Sequence, residues 1–89
     1  MRQATFRSLC LRDLKKIKRR GWNEDPLYEV LGILMRDGRV SPEFKPHKLS
    51  GVYTGLWECH IENDWLLVYN VTNEEVVLYR TGTHADLFE

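Results

Sequence analysis

Three runs rich in Trp, Leu, Val and Tyr follow one another between residues 56 and 81, and two short polar segments separate them. The first separator, Asn63-Asp64, suits a two-residue hairpin turn, and residues 72–75 suit a four-residue turn. The pattern predicts strands at about 56–62, 65–71 and 75–81. Because the connections are so short, these strands must be antiparallel neighbours in one sheet, and this constrains the fold more than any other feature.

The first half of the chain has a different hydrophobic period. After a predicted first strand in "ATFRSL", apolar residues recur at helical spacing through "LCLRDLKKIKRRG", and Gly21 ends this segment. A second helix begins near "NEDP", where Asn23 or Asp25 can cap and Pro26 suits the first helical position. Its inward stripe ends at Gly38. We expect these two helices to form an antiparallel pair.

Together these segments predict the fold class. We expect an α+β fold, a small single domain spanning residues 1–89. It has an antiparallel sheet of about four strands and an N-terminal helical hairpin packed on one face. Residues 39–55 contain two prolines and two glycines and predict an irregular connection. This long loop also holds Lys45, His47 and Lys48, and long loops in small domains are often functional.

Composition and charge narrow the class of protein. No apolar run is long enough to cross a bilayer and the N-terminus lacks a secretory signal pattern, so we expect a cytoplasmic protein with two reduced cysteines. Residues 1–48 hold 12 basic and 6 acidic side chains, whereas residues 49–89 hold 1 and 7. A basic half suggests an anionic partner such as RNA, the alternative being a solvated helix surface.

The hairpin turns predict which residues lie opposite one another. With a two-residue turn at 63–64, His60 pairs with Leu67, and with a turn at 72–75, Leu67 pairs with Arg80. His60, Leu67 and Arg80 then form one row on one face, with Glu58 one pleat away. The other face would be apolar and carry the helices. It would hold the following residues: Trp57, Cys59, Ile61, Leu66, Val68, Val77 and Tyr79.

Two further histidines can approach the polar face. Thr83-His84-Ala85-Asp86 resembles a capping box, so a short helical turn is expected to begin there and to bring His84 over the face, and His47 can approach from the loop. Each residue also has an ordinary structural interpretation: His60 as a half-exposed strand residue, Arg80 as a salt bridge to Glu58, and His84 as a helix start. The histidine spacing matches no known zinc signature, so we expect no metal and no cofactor.

Three histidines and an arginine on one face suit metal-free RNA cleavage. Histidines titrate near neutral pH and can act as general base and general acid, while an arginine stabilises charge on the phosphorane. The base would take the proton of the ribose 2′-OH, which attacks the adjacent phosphate, and the acid would protonate the departing 5′-oxygen. Trp65, Tyr53 or Phe88 offers a surface on which a base can stack.

The motifs "KPHKLSG", "WECHIENDWLLVY" and "LYRTGTHADLF", with their spacing, resemble the YafQ-type toxins of the RelE/ParE superfamily over essentially the whole chain. The resemblance implies a bacterial toxin of a type II toxin-antitoxin system that cuts mRNA in the ribosomal A site. It also implies a cognate antitoxin as partner, operator DNA bound only through the antitoxin complex, and no membrane.

The resemblance also implies site residues. Its motifs match the following positions to catalytic roles: His47, His60, Asp64, Arg80 and His84. Substrate-binding residues would include Trp65 and Phe88, and Glu58 stands where the family often has Asp. The loop lysines Lys45 and Lys48 complete the substrate-binding set. Which histidine is base and which is acid stays open, although His84 is favoured as the acid because a residue at the C-terminal turn can adjust to the leaving group.

The charge split adds one more expectation. The basic end of the first helix is expected to hold ribosomal RNA through the following residues: Lys15, Lys16, Lys18, Arg19 and Arg20. Two competing functions stay open: a ParE-like inhibitor of DNA gyrase with the same fold, and a non-catalytic module that binds only an antitoxin and its operator. The three histidines argue against the gyrase inhibitor, which has no need of acid-base chemistry.

Overall fold

A computed structural model describes all 89 residues. The strands are β1 (Gln3–Phe6), β2 (His47–Lys48), β3 (Trp57–Glu62), β4 (Trp65–Val71) and β5 (Glu75–Gly82). The helices are α1 (Ser8–Arg19), α2 (Asp25–Asp37) and the short C-terminal α3 (His84–Phe88). This confirms the predicted α+β class, with five strands rather than about four. The additional strand, β2, lies within the loop predicted to be irregular.

The five strands form one sheet in the order β1-β5-β4-β3-β2. The predicted meander β3-β4-β5 is antiparallel throughout, whereas β1 runs parallel to β5 at its edge. Parallel neighbours require a crossover connection. Between β1 and β5 this connection contains the two long helices, which cover one face of the sheet, and then strands β2 to β4. Because β1 ends at Phe6, the last residues of β5 have no strand on that side and face α1.

The main core lies between the two long helices and one face of the sheet. Leu14 and Ile17 of α1 and Leu27 and Leu34 of α2 pack with buried residues from every long strand. The helix ends follow local chemistry, as predicted: α2 stops at Gly38, whose left-handed φ of 77° costs a glycine little. No helix in the protein is both long and apolar enough to cross a membrane.

The turns are confirmed, but the predicted row across the sheet is wrong. Val71 pairs with Val76 and Glu62 with Trp65, as expected, yet the registers shift between His60 and Glu62 and again at Val68/Tyr69. His60 therefore pairs with Leu66 instead of Leu67. Each irregularity places one additional residue in a strand, as a β-bulge does, and shifts every later partner by one.

The bulge in β3 exchanges the faces predicted for β4 and for the first part of β5, and the bulge at Tyr79 returns Arg80 to the face predicted for it. Leu67 and Tyr69, instead of Leu66 and Val68, point into the helix-covered core. Leu66 and Val68 lie on the opposite side, called the second face below, where they pack with Leu87 of α3. Tyr79 packs with this second cluster, and Cys59 and Ile61 are in the helix-covered core, as predicted. The second face is therefore partly apolar, and α3 covers part of it.

Candidate active site

The corrected registers place four residues in one row across the second face. His47 pairs with Glu58, Glu58 with Val68, and Val68 with Arg80. Glu58 and Arg80 are thus two strand spacings apart, about 10 Å at the backbone. His60 lies two residues after Glu58 in β3 and shares its face. Glu58 takes the position in the row that was predicted for His60, and strand β2 adds His47 of the loop next to it.

His47 and Glu58 form a close pair at one end of this row. Nε2 of His47 lies 3.2 Å from Oε1 of Glu58, and its Nδ1 lies 3.1 Å from the carbonyl oxygen of Lys45. A carbonyl oxygen only accepts, so Nδ1 carries the proton in that contact. Glu58 is only 5% exposed, and its Oε2 is the one buried side-chain oxygen or nitrogen without a hydrogen-bond partner.

Lys45 is a strained part of this arrangement. It is the only non-glycine residue with a positive φ, at 51°, and such conformations persist only where surrounding contacts fix them. The turn directs its carbonyl oxygen at the His47 ring. Its side chain lines a cleft of about 280 Å³ together with His60, Phe44 and Glu62. Lys45 therefore lies beside both His47 and His60.

Arg80, at the other end of the row, is held by a residue that the sequence analysis did not single out. Its Nε donates to Oδ2 of Asp13 at 2.8 Å and its Nη2 donates to Oδ1 at 3.1 Å. Its Nη1 donates to the Tyr53 hydroxyl at 3.2 Å. These hydrogen bonds, above all those to Asp13, raise the pKa of Arg80 and keep it charged. Arg80 thus pairs with Asp13 and not, as one alternative held, with Glu58.

Asp13 is a buried carboxylate of α1 and also accepts a hydrogen bond from the backbone nitrogen of Thr81 at 3.0 Å. The sequence contained a signal for it, because Asp13 is four residues before Ile17 and three after Cys10, on the inward stripe of α1. A charged residue on an apolar helix stripe predicts a buried partner. The partner itself, 67 residues away, was not predictable from that pattern.

His84 lies at the start of α3, and its backbone nitrogen donates to Oδ1 of Asp64 at 3.0 Å. Its ring lies 5.0 Å from the ring of Phe88, which in turn lies 5.7 Å from the ring of Tyr53. Since Tyr53 also contacts Arg80, a continuous set of side chains connects His84 to the arginine. Asp64 reaches this set through the backbone of His84, and it forms no hydrogen bond with Arg80 or with any of the three histidine rings.

The predicted capping box at the start of α3 is confirmed. The Thr83 hydroxyl accepts from the nitrogen of Asp86, and the Asp86 carboxylate accepts from the nitrogen of Thr83. The same carboxylate receives two hydrogen bonds from Arg20, the residue that follows α1, at 2.7 and 2.8 Å. The Arg20 guanidinium holds the pKa of Asp86 well below its usual value of 3.8. This ion pair anchors the helix that carries His84 and Phe88 to α1.

Two residues predicted to bind substrate lie elsewhere. Trp65 is 3% exposed, packs edge-on against Trp22 at 5.3 Å and donates from Nε1 to Thr81. The ring of Trp65 is therefore nearly covered by the core, which leaves little of it on which a base can stack. Lys48 lies on the helix side of the edge strand, with its ammonium 5.9 Å from the ring of Trp57. The strand alternation takes it away from His47.

The basic end of α1 is less uniform than its composition suggested. Arg20 is committed to Asp86, and the ammonium of Lys16 lies 3.7 Å from the same carboxylate. Lys15, Lys18 and Arg19 are exposed and make no ion pair. Of the five residues expected to contact ribosomal RNA, these three are therefore the ones available for direct contact. The other two are already paired with Asp86 of α3.

No three side chains of the types that bind metal gather at one point. Burial raises the pKa of the Cys10 and Cys59 thiols to about 12, so neither is a reactive nucleophile. The groups available for chemistry on the second face are therefore imidazoles, one buried carboxylate and one guanidinium.

A sequence profile described as "Bacterial toxin of type II toxin-antitoxin system, YafQ" matches residues 2–89. The chain belongs to the YafQ family. Among its relatives, the mRNA interferase toxin YafQ of Escherichia coli strain K12 is 33% identical over 78 residues, which is 86% of this chain and 85% of that protein.

Solved structures of YafQ and related toxins share the fold. A crystal structure of the E. coli DinJ-YafQ toxin-antitoxin complex matches with a TM-score of 0.87 and 29% identity, over 99% of this chain and 98% of that chain. A metal-bound toxin from Helicobacter pylori matches with a TM-score of 0.86 and 33% identity, over 99% of this chain and 100% of that chain. These matches confirm the family that the motifs of the sequence predicted.

Proposed function

We propose that this YafQ-family protein is the toxin of a type II toxin-antitoxin system and acts as a ribosome-dependent mRNA endonuclease. The observation that supports this most is the gathering of His47, Glu58, His60 and Arg80 on the second face, beside His84 of α3. A protein that only blocks gyrase or only binds an antitoxin needs no such combination of acid-base groups.

Arg80 is suited to stabilise the pentacovalent phosphorane. Asp13 holds one edge of the guanidinium, which leaves Nη1 and the outward side of Nη2 to meet phosphate oxygens. A donor that is already fixed needs no reorganisation when charge develops in the transition state. Nη1 donates to the Tyr53 hydroxyl, 3.2 Å away. When RNA binds, a phosphate oxygen either replaces this hydroxyl as the acceptor of Nη1 or accepts a further hydrogen bond from the hydroxyl itself.

The histidines supply the proton transfers. One imidazole accepts the proton of the ribose 2′-OH, that oxygen attacks the adjacent phosphorus, and a second imidazole protonates the departing 5′-oxygen. His84 serves as the acid, because it is exposed at the start of α3 and Asp64 and Phe88 fix its backbone and ring. His60 and His47 are the two candidates for the base. In His47 the accepting atom would be Nε2, because Nδ1 carries the proton, so Nε2 must leave Glu58 to reach the ribose 2′-OH.

Alanine variants of Arg80 and His60 test this assignment. Each is expected to cut ribosome-bound mRNA about 10²- to 10³-fold more slowly than the wild type, because each removes one transition-state contact. Primer extension on a translated mRNA measures the rate. Arg36→Ala is the matched control, because Arg36 is an exposed arginine of α2 whose partner is its neighbour Asp37. Wild-type cleavage by Arg80→Ala, or gyrase inhibition without RNA cleavage, contradicts the proposal.

The reaction is proposed to proceed without a metal ion, since the nucleophile is the 2′-OH of the substrate. The products then carry 2′,3′-cyclic phosphate and 5′-OH ends. Because a relative from H. pylori is known in a metal-bound form, the chemistry of the product ends is the decisive measurement. A 5′-phosphate contradicts the mechanism, because it requires water as nucleophile and the 3′-oxygen as leaving group.

The partners follow from the same function. The substrate is mRNA in the ribosomal A site of the cytoplasm, ribosomal RNA contacts the exposed cations Lys15, Lys18 and Arg19, and a cognate antitoxin inhibits the enzyme. Operator DNA is bound only through the antitoxin complex. Co-purification of this protein with the product of an adjacent gene, and loss of cleavage on adding that product, tests the antitoxin. If this protein and the product of the adjacent gene form no complex, that product is not the antitoxin.

A further inference from the structure

Two clefts meet at Arg80 on the side of the molecule away from His47. The first, about 350 Å³, runs along the outer surface of α1, and the second, about 190 Å³, lies between the start of α1 and the second face. Arg80 and Leu9 line both clefts. The two clefts therefore adjoin at the proposed phosphate-binding arginine and are together called the groove below. Apart from Arg80 and Tyr53, none of their lining residues has a role in the cleavage chemistry described above.

The α1 part of the groove is strongly basic. Arg12, Lys15, Lys16 and Arg19 line it, and Asp13 is its only acidic residue. Asp13 is already neutralised by Arg80, so the groove presents cations alone to a ligand. Residues 12 and 19 are separated by about two helical turns, or about 10 Å. A row of cations of this length suits an extended polyanion better than a single small anion.

The other part of the groove combines cations with aromatic rings. Arg7, Tyr53 and Tyr79 line it beside Arg80, and the guanidinium of Arg7 lies 5.2 Å from the centre of the Tyr79 ring. The backbone nitrogen of Arg7 donates to Leu78, which fixes the arginine next to this tyrosine. Cations interleaved with partly exposed aromatic rings are the arrangement by which proteins bind single-stranded nucleic acid.

We propose that this groove is the track of the single-stranded mRNA on one side of the cleaved phosphate. In this arrangement Arg12, Lys15 and Arg19 hold backbone phosphates, Arg80 holds the reacting phosphate, and Tyr79 with Arg7 supports a nucleobase. The proposal rests on the nuclease function given above. It changes one assignment made there, because Lys15 and Arg19 now contact the mRNA substrate instead of ribosomal RNA.

The test uses programmed ribosomes whose mRNA cannot be cut, because the nucleotide at the cleavage position lacks its 2′-OH. A photoreactive 4-thiouridine stands beside that position, and crosslinked peptides are identified by mass spectrometry. We expect crosslinks to peptides that contain Arg7, Tyr79 or residues 12–19. Crosslinks that reach only peptides outside the groove overturn the proposal.

A charge-reversal variant and a matched control test the same groove by affinity. The groove variant is Arg12→Glu/Lys15→Glu/Arg19→Glu. The control is Arg36→Glu/Arg39→Glu/Lys48→Glu, which changes the net charge equally outside the groove. In a titration with a single-stranded oligonucleotide, the groove variant should bind about tenfold or more weakly. Its slope of log affinity against log salt should be lower by about 2, since each lost phosphate contact removes about 0.7. Equal effects in both variants overturn the proposal.

Tyr79 separates base stacking from charge. Tyr79→Leu keeps apolar bulk for the second-face cluster but loses the ring, and is expected to weaken binding about tenfold, whereas Tyr79→Phe keeps the stacking surface and the affinity. Thermal unfolding of both variants verifies that they fold. If Tyr79→Leu binds like the wild type, the stacking part of the proposal is wrong.

These outcomes distinguish the groove from the nuclease function. If Arg80→Ala abolishes cleavage while the groove variant binds and cuts RNA like the wild type, the track is wrong and the proposed function stands. If Arg80→Ala cuts like the wild type, the proposed function fails whatever the groove variant does, and the track fails with it.

Discussion

Replacing Asp13 tests how the arginine of the proposed active site is held. Asp13 is 7% exposed and accepts three hydrogen bonds, two from Arg80 and one from the backbone nitrogen of Thr81. In Asp13→Ala the buried nitrogen of Thr81 loses its acceptor, which costs about 1–3 kcal/mol. Removing one partner of a fully buried ion pair costs about 3–5 kcal/mol.

The Arg80 side chain is 19% exposed, so it can turn partly towards water when its partner is removed. This places the expected cost towards the low end of those ranges. We expect Asp13→Ala to lower the free energy of unfolding by about 3 kcal/mol. Cleavage by the folded fraction is expected to fall about 10- to 100-fold, less than in Arg80→Ala, because the guanidinium is present but no longer fixed.

Urea unfolding measures the first quantity, and primer extension, corrected for the folded fraction, measures the second. Asp37→Ala is the matched control, since Asp37 is also a helix aspartate paired with an arginine. Its side chain is half exposed, at 50%, and such surface pairs contribute about 0–1 kcal/mol. Asp13→Asn adds a second comparison, because its amide oxygen still accepts from Thr81 while its amide nitrogen opposes Arg80.

Two results refute this account. If Asp13→Ala unfolds within about 0.5 kcal/mol of the wild type, the carboxylate does not stabilise the fold through these bonds. If the folded variant cuts RNA at the wild-type rate, Arg80 does not need Asp13 to be positioned. The double variant Asp13→Ala/Arg80→Ala completes a mutant cycle, in which a coupling energy near zero indicates that the two side chains act independently.

Four further predictions concern other contacts of the site. Because Arg20 lowers the pKa of Asp86 below 3.8, the stability from this pair is full above about pH 4 and is lost as the pH falls further; acid titrations of unfolding should therefore converge for the wild type and Asp86→Asn, and parallel curves contradict the ion pair. Gly82→Ala places a methyl group 2.7 Å from Oδ2 of Asp86 at a φ of 151°, so it should release α3 and reduce cleavage, whereas Gly32→Ala, in open space within α2, should not. Glu58→Gln should slow cleavage at unchanged stability, since only the charge beside His47 is lost, and equal cleavage rates count against a role for Glu58. Cys10 and Cys59 should resist alkylation in the folded protein, because burial raises the pKa of both thiols to about 12; rapid labelling without denaturant contradicts their burial.

Sequence patterns predicted the features of this protein that depend on neighbouring residues. The turns at 63–64 and 72–75, the stop of α2 at Gly38 and the capping box of Thr83 and Asp86 each depend on a few adjacent residues. Such features are fixed by backbone sterics and short-range hydrogen bonds, which are the same in any fold. The motifs around His47, His60 and Arg80 likewise predicted the family before any geometry was known.

Only the tertiary structure decided which of these side chains meet. Side chains alternate with a period of two along a strand, so one additional residue after His60 in β3 reversed the faces of β4 and of the first part of β5, and a second one at Tyr79 returned Arg80 to the face predicted for it. That shift placed Glu58, not His60, in the row with Arg80, and the fold buried Trp65 in the core. The partner of Arg80 is 67 residues away in α1, and no local pattern encodes that distance. It follows from packing α1 against the unpaired end of β5, where a buried carboxylate and a guanidinium satisfy one another.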